Sequence, residues 1–450
     1  MCRTIFITFG YMKHLTIFFV TVFLFTLPVS AQRPLVLQGA TMIDGVGRRP
    51  VPDAFIIVEH GMITGVGNKN SVIIPSDAEI VDLKGKFIMP GLVDTYAQCR
   101  SERDLQEMFA WGVTSVNCVF TSVTEAKTYE AKAASDTNLF PRIFPTAPVF
   151  TAEHGWWSEN TGSDNSINRF PKTAEEARAQ VRAVKALGID RIMIVYDSMT
   201  WYRGNLKPLD HMQSDIMQAL IDEATQQKIT AEIHSPEFND AVAGQNAGAT
   251  AFIHGVITDR MSAPFVANFP VKGEFFVPTL CWYEFLGDRG GFIRNVFSDE
   301  RFRSTFSADS IQYYTGSAFI HNNPDQYPDT AFVRSHIGIL EENMVTVVKN
   351  YGNITLATDL PIFPGIADHV ELEYMVQAGL TPMQALAVGT NLSGQFISAP
   401  VGIIYAGNKA DMLILDADPS LDIRNTRSLR TIIKNGKMYD RAELLKRLQR

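Results

Sequence analysis

Asp82-Leu-Lys-Gly-Lys-Phe-Ile-Met-Pro-Gly-Leu-Val-Asp94 is the stretch on which the fold turns. It joins a short strand predicted over residues 78–82 to a buried apolar strand predicted over 91–95. The chain changes style across it. Upstream, residues 54–59 and 62–66 are apolar runs flanking His60-Gly61, the pattern of a β-hairpin. Downstream, apolar runs alternate with helical stretches, the pattern of a parallel sheet.

The predicted strands of this second region are 91–95, 114–119, 143–146, 191–195, 230–233, 251–253, 275–278 and 355–357. Helices are predicted over 173–187, 211–227 and 238–247. Thr381-Pro382-Met383-Gln384 reads as a helix start, with Thr as N-cap, Pro at the first position and Gln at the third. Eight β-α units in about 300 residues predict a (β/α)8 TIM barrel. At the far end, Asp411-Met-Leu-Ile-Leu-Asp416 reads as a strand, and Thr431-Ile-Ile-Lys434 precedes Asn435-Gly436, a second hairpin signal. Both chain ends are therefore expected to build one small β-sandwich domain, from 32–88 and 399–450, around a barrel over 89–398. The stretch 284–350 is long for one barrel connection and reads as a lid, a substrate wall or a structural decoration.

Residues Leu15 to Leu27 form an apolar run behind Lys13, followed by Pro28, Val29, Ser30 and Ala31. This is the pattern of a signal peptide over 1–31, and it predicts a periplasmic or secreted protein. The run is short for a transmembrane helix, so no stable membrane insertion is expected after cleavage. The leader holds two basic and no acidic side chains, which leaves 38 basic against 48 acidic. With no Lys/Arg run, nucleic acid is not an expected partner; a small-molecule substrate or ligand is. The sequence is also open to a homo-oligomer. Beyond the leader lie Cys99, Cys118 and Cys281, too few for a disulfide framework. They read mostly as buried apolar residues, with one bridged pair at most.

The stretch 82–94 resembles the lead into the barrel of the metal-dependent amidohydrolase superfamily. Gly402, Gly407-Asn-Lys-Ala-Asp-Met-Leu-Ile-Leu-Asp416 and Ile432-Ile-Lys-Asn-Gly-Lys437 resemble that superfamily's C-terminal return. Ala378-Gly-Leu-Thr-Pro-Met-Gln-Ala-Leu386 and Val277-Pro-Thr-Leu280 also fit, nearest the imidazolonepropionase- and prolidase-like branch. The resemblance runs from about Leu35 to Lys437. It implies hydrolysis of an amide, cyclic amide or peptide-like C–N bond, with one or two divalent ions activating water.

The ligand positions that the resemblance implies are mostly substituted. The His-x-His of the first strand falls on Tyr96 and Gln98, the carboxylated Lys of the fourth on Met193, and the His of the fifth on Glu232, with His234 two residues on as the alternative register. His254 and Asp359 keep the sixth- and eighth-strand positions. A phenol, an amide and a thioether are poor ligands for a zinc-type ion, and Met193 cannot form a carbamate. The expected cofactor is therefore none, or one divalent ion such as zinc on His254, Glu232 and Asp359, helped by His234 or Gln98. In a hydrolase Asp359 would be the general base and His254 a ligand or electrophilic helper. His154, Trp157 and Trp282 would line the substrate site with His234; Trp156, Tyr283 and His369 lie in the same stretches. The alternative is a catalytically degenerate pseudoenzyme that binds a small molecule or a protein partner in the barrel mouth.

Overall fold

A computed structural model describes residues 33–68, 71–135, 138–158, 167–204, 206–321 and 330–448. The predicted leader lies outside them. Five strands open the described chain: β1 (Leu35–Met42), β2 (Val51–Glu59), β3 (Met62–Gly67), β4 (Glu79–Asp82) and β5 (Phe87–Pro90). His60 and Gly61, between β2 and β3, both have positive φ, 50° and 75°. That conformation matches the twist of a two-residue hairpin, which is why the turn falls there.

Three further strands return at the other end: β16 (Met412–Leu415), β17 (Leu429–Lys434) and β18 (Lys437–Asp440), the last two joined by Asn435 and Gly436 with φ of 52° and 73°. They complete one eight-stranded sheet in the order β18-β17-β16-β5-β1-β2-β3, with β4 paired to β1. β16 runs antiparallel to β5, so the two ends of the chain meet directly before β6 begins. Leu35, Leu37, Ile56, Val58, Ile88, Met412 and Ile414 form this sheet's own buried core.

The middle of the chain supplies parallel strands. β6 (Leu92–Gln98), β7 (Val113–Val119) and β8 (Arg142–Pro145) form a three-stranded sheet. β9 (Val149–Phe150), β10 (Asn168–Arg169), β11 (Arg191–Val195), β12 (Thr230–His234), β13 (Ala251–Ile253), β14 (Phe275–Val277) and β15 (Asn353–Ile354) form a seven-stranded one in the order β10-β9-β11-β12-β13-β14-β15. The α/β class is as the sequence predicts. Backbone hydrogen bonds link the two sheets on both sides: Ala147 N–H donates to Arg191 O, Thr95 N–H to Leu356 O, and Asp359 N–H to Tyr96 O. Near-continuous apolar runs such as Arg191–Val195, buried throughout, are what a sheet covered on both faces requires.

Cys99 and Cys118, at the ends of β6 and β7, form a disulfide, and Cys281 is a buried free thiol. The stretch 284–350 is largely helical, including Arg289–Ser298, Ala308–Thr315 and Thr330–Lys349. Asp288, Asp299 and Ser307 cap helix N-termini there through their side chains. The expected eighth strand at 355–357 is displaced to Asn353–Ile354, because the backbone beyond it turns to bond β6.

Candidate functional site

The C-terminal ends of the parallel strands converge on a buried polar cluster. His254 follows β13, Thr279 follows β14, and Asp359 follows β15; all three have left-handed backbone, with φ of 65°, 47° and 45°. Positive φ is costly for a non-glycine residue and collects at functional sites. Here it turns three polar side chains inward at one level. His254 Nε2 lies 3.6 Å from Asp359 Oδ2, and His254 Nδ1 is 2.7 Å from Thr279 Oγ1. Gln98, at the end of β6, donates from Nε2 to Asp359 Oδ1 at 3.0 Å. His234, the last residue of β12, packs edge-on to His254 with ring centroids 4.7 Å apart.

Burial governs the protonation of this cluster. It lifts the Asp359 carboxyl to about 8, against the Gln98 hydrogen bond, with the Asp94 charge adding to the rise. Burial holds the His254 imidazole well below its ordinary value and the His234 imidazole at about 3. At neutral pH the site therefore contains two neutral imidazoles and a largely protonated carboxyl. Asp197, after β11, is raised to about 7 by burial, against hydrogen bonds from Trp201 and the Met199 backbone.

Aromatic side chains cover the cluster. Trp282 stacks on the His254 ring at 4.8 Å, and Tyr202 stacks on Trp282 at 5.8 Å. Trp156 touches Tyr202 and approaches His234. Tyr283 donates its hydroxyl hydrogen to His254 O at 3.1 Å. Trp157 stacks on Phe120 at 3.7 Å, and Phe120 in turn meets the Tyr96 ring. Trp282 thus stands directly against the cluster and Trp157 stands two rings away. His154 is exposed. His369 is buried elsewhere, tied to Thr426 Oγ1 and Trp111 O, so it braces a helix instead of shaping the site.

The positions that would hold metal in a two-ion amidohydrolase centre do not fit one. The Tyr96 hydroxyl donates to Met193 Sδ at 3.0 Å, so phenol and thioether satisfy one another where ligands would stand. Glu232 is fully buried, and its Oε1 accepts from Arg191 at 3.1 Å, Thr146 at 3.0 Å and Asn117 at 3.3 Å. The Arg191 guanidinium offsets its charge internally. The trio His254, Glu232 and Asp359 is consequently not assembled as a ligand set. Among the described residues, the one group of three His, Cys, Asp or Glu with ligand atoms all within 4.8 Å of one another is Asp197, Glu237 and Asp240. Sequence reasoning missed Asp197, Tyr202 and Thr279. Asp197 and Thr279 had a usable signal, a polar residue just past the end of a predicted strand.

No protein-family profile matches the chain. A dihydroorotase from Caldanaerobacter subterraneus subsp. tengcongensis is 30% identical over 94 residues, 19% of this chain and 21% of that protein's length. Solved structures match far more of it. A Bifidobacterium longum protein assigned as a prolidase superimposes with a TM-score of 0.71 at 20% identity, over 93% of this chain and 100% of its own. A Xaa-Pro dipeptidase with bound methionine gives 0.71 at 17%, over 90% and 100%. A. niger ochratoxinase gives 0.70 at 16%, over 91% and 96%. The fold is that of the amidohydrolases. In this chain His254 and Asp359 stand beside one another past the ends of β13 and β15, while Tyr96, Met193 and Glu232 are bonded to other side chains.

Proposed function

We propose that this protein is a hydrolase of C–N bonds whose reacting pair is Asp359 and His254, acting on a small amide, cyclic amide or peptide-like substrate. The single observation behind it is the buried pair itself: a carboxyl lifted to about 8 and an imidazole 3.6 Å away, beneath the Trp282 ring. A carboxyl near the working pH is suited to move a proton both ways. In its ionised form Asp359 takes a proton from the attacking water. The same proton then passes to the leaving nitrogen as the C–N bond breaks. With the Thr279 hydroxyl donating to His254 Nδ1, the Nε2–H faces Asp359 and can donate to the oxyanion that develops on the carbonyl oxygen.

The reading includes three further proposals. The two parallel sheets close as one (β/α)8 barrel, which the backbone bonds from Thr95 to Leu356 and from Ala147 to Arg191 support. The sheet shared by both chain ends is a separate small domain, with the barrel over 89–398. Residues 1–31 direct the chain to the periplasm or beyond. A second reading, a non-catalytic binder of a small molecule, is favoured by the Tyr96–Met193 and Glu232–Arg191 contacts that fill the metal positions.

The discriminating experiment is hydrolysis of a panel of Xaa-Pro dipeptides, N-acyl amino acids and cyclic amides, followed by mass spectrometry. The hydrolase reading expects product from the wild type and a loss of about 10²–10⁴ in kcat/KM on Asp359→Asn. Saturable ligand binding without turnover across the panel would establish the binder instead.

A further inference from the structure

Three carboxylates meet at the rim of the mouth, outside the Asp359–His254 pair: Asp197 after β11, and Glu237 and Asp240 at the start of the helix Phe238–Ala247. Asp197 is buried and the other two are half-buried, so the group is open to solvent on one side. An acidic cluster alone signifies nothing, since solvated acids are common. A second feature points to a ligand here. His234 is 1% exposed, and its Nδ1 has no hydrogen-bond partner among the described residues, yet lies only 3.9 Å from Asp197 Oδ2. A buried imidazole nitrogen left without a partner is costly unless something occupies the space it faces.

We propose that Asp197, Glu237, Asp240 and His234 Nδ1 form a binding site for one divalent transition cation, Mn²⁺ or Zn²⁺. Carboxylate oxygens with one imidazole nitrogen suit these ions better than Mg²⁺ or Ca²⁺, which favour all-oxygen sets. Two ligands that each sit about 2.1 Å from one tetrahedral ion lie about 3.4 Å apart, so His234 Nδ1 and Asp197 Oδ2, 3.9 Å apart without the ion, draw together by about half an ångström to share it. Asp197 is already aimed: it accepts from Met199 N–H at 2.6 Å and from Trp201 Nε1–H at 3.0 Å. Glu237 and Asp240 each place a carboxylate oxygen within 4.8 Å of Asp197 and of one another, and His234 reaches the group through Asp197. Their present partners, the Thr200 hydroxyl and His211 Nε2, each hold one oxygen at 3.2 Å. The two-ion position that the fold implies has its fourth-strand place on Met193 and its fifth on Glu232, or on His234 in the alternative register; the present site shares at most His234 with it, and its three carboxylates lie past the ends of β11 and β12. A cation here would fix the loops after β11 and β12 and set positive charge beside His234, which packs on His254. The proposal does not depend on the hydrolase reading.

The test is a Mn²⁺ titration of the full-length chain, stripped with chelator, read by the electron paramagnetic resonance of free Mn²⁺. The expected result is about one bound equivalent, displaced by Zn²⁺. Glu237→Gln and Asp240→Asn should each weaken binding by about tenfold or more, and Asp359→Asn should leave it within about twofold. Circular dichroism of each variant reports folding, and the wild-type stoichiometry stands without them. Absence of saturable binding in the wild type up to about 1 mM Mn²⁺ or Zn²⁺ would overturn the site. So would binding that survives both rim substitutions and vanishes in Asp359→Asn.

Discussion

Replacing Asp359 by Asn should change how the protein's stability depends on pH, by an amount that follows from its burial. In the folded chain the carboxyl is lifted to about 8, against an ordinary 3.8. Between these values the folded state holds a proton that the unfolded state has released. The contribution is fully present below the unfolded value and is lost as pH rises towards the folded one, at about 1.4 kcal/mol per pH unit. Between pH 5 and 7 the wild type should therefore lose about 3 kcal/mol through this group alone. An Asn side chain cannot titrate, and its Oδ1 still accepts from Gln98. The difference between variant and wild type should move by about 3 kcal/mol in favour of Asn over that interval. Asp197, Asp368 and Glu371 are raised by burial in both proteins and cancel in the difference; Asp94, whose charge acts on Asp359, does not cancel in full. Denaturant unfolding of both chains at pH 5, 6 and 7 measures it. A difference independent of pH would mean that Asp359 is ionised throughout in the folded state, and the proposed proton carrier would be lost with it.

Three other outcomes follow from the same structure. Glu232→Ala strands the buried Arg191 charge and should cost about 3–5 kcal/mol, whereas Arg191→Met with Glu232→Leu should cost much less; urea midpoints of both compare them. Reducing Cys99–Cys118, which closes a loop with a separation of 19 residues, should lower stability by about 3 kcal/mol, measured as the shift in denaturation midpoint with and without reductant. Trp282→Ala removes the ring stacked on His254 and should raise KM for a substrate, or Kd for a ligand, by about tenfold; an unchanged value would place the ligand elsewhere.

Much of the architecture was legible because it rests on local signals. His60-Gly61 and Asn435-Gly436 announce hairpins through residues that tolerate positive φ, and the structure turns at both. The strand Arg191–Val195 and the helix Phe238–Ala247 fall where apolar runs and periodicity put them. The helices within 284–350 were not read, since a long connection with mixed polarity hides short capped helices. The site was legible in part. The substituted positions Tyr96, Gln98, Met193 and Glu232 could be counted from strand ends, but their new partners could not. Arg191 lies 41 positions from Glu232 and Met193 lies 97 from Tyr96, so only the folded sheet shows which partner each replacement meets. The rim group of Asp197, Glu237 and Asp240 was invisible for the same reason: Asp197 lies in the loop after β11, and the other two at the start of the helix Phe238–Ala247.

The account stands most directly on the pH dependence of C–N bond hydrolysis, measured as kcat/KM from pH 6 to 9 on any amide of the panel that the wild type cleaves, with Asp359→Asn alongside. If Asp359 must be ionised to accept the proton of water, the wild-type rate should rise about tenfold per pH unit at low pH and level off near 8, and the variant should be lower by about 10²–10⁴ across the range. A variant that cleaves as fast as the wild type, with the same profile, would contradict the assignment of Asp359 and His254 as the reacting pair.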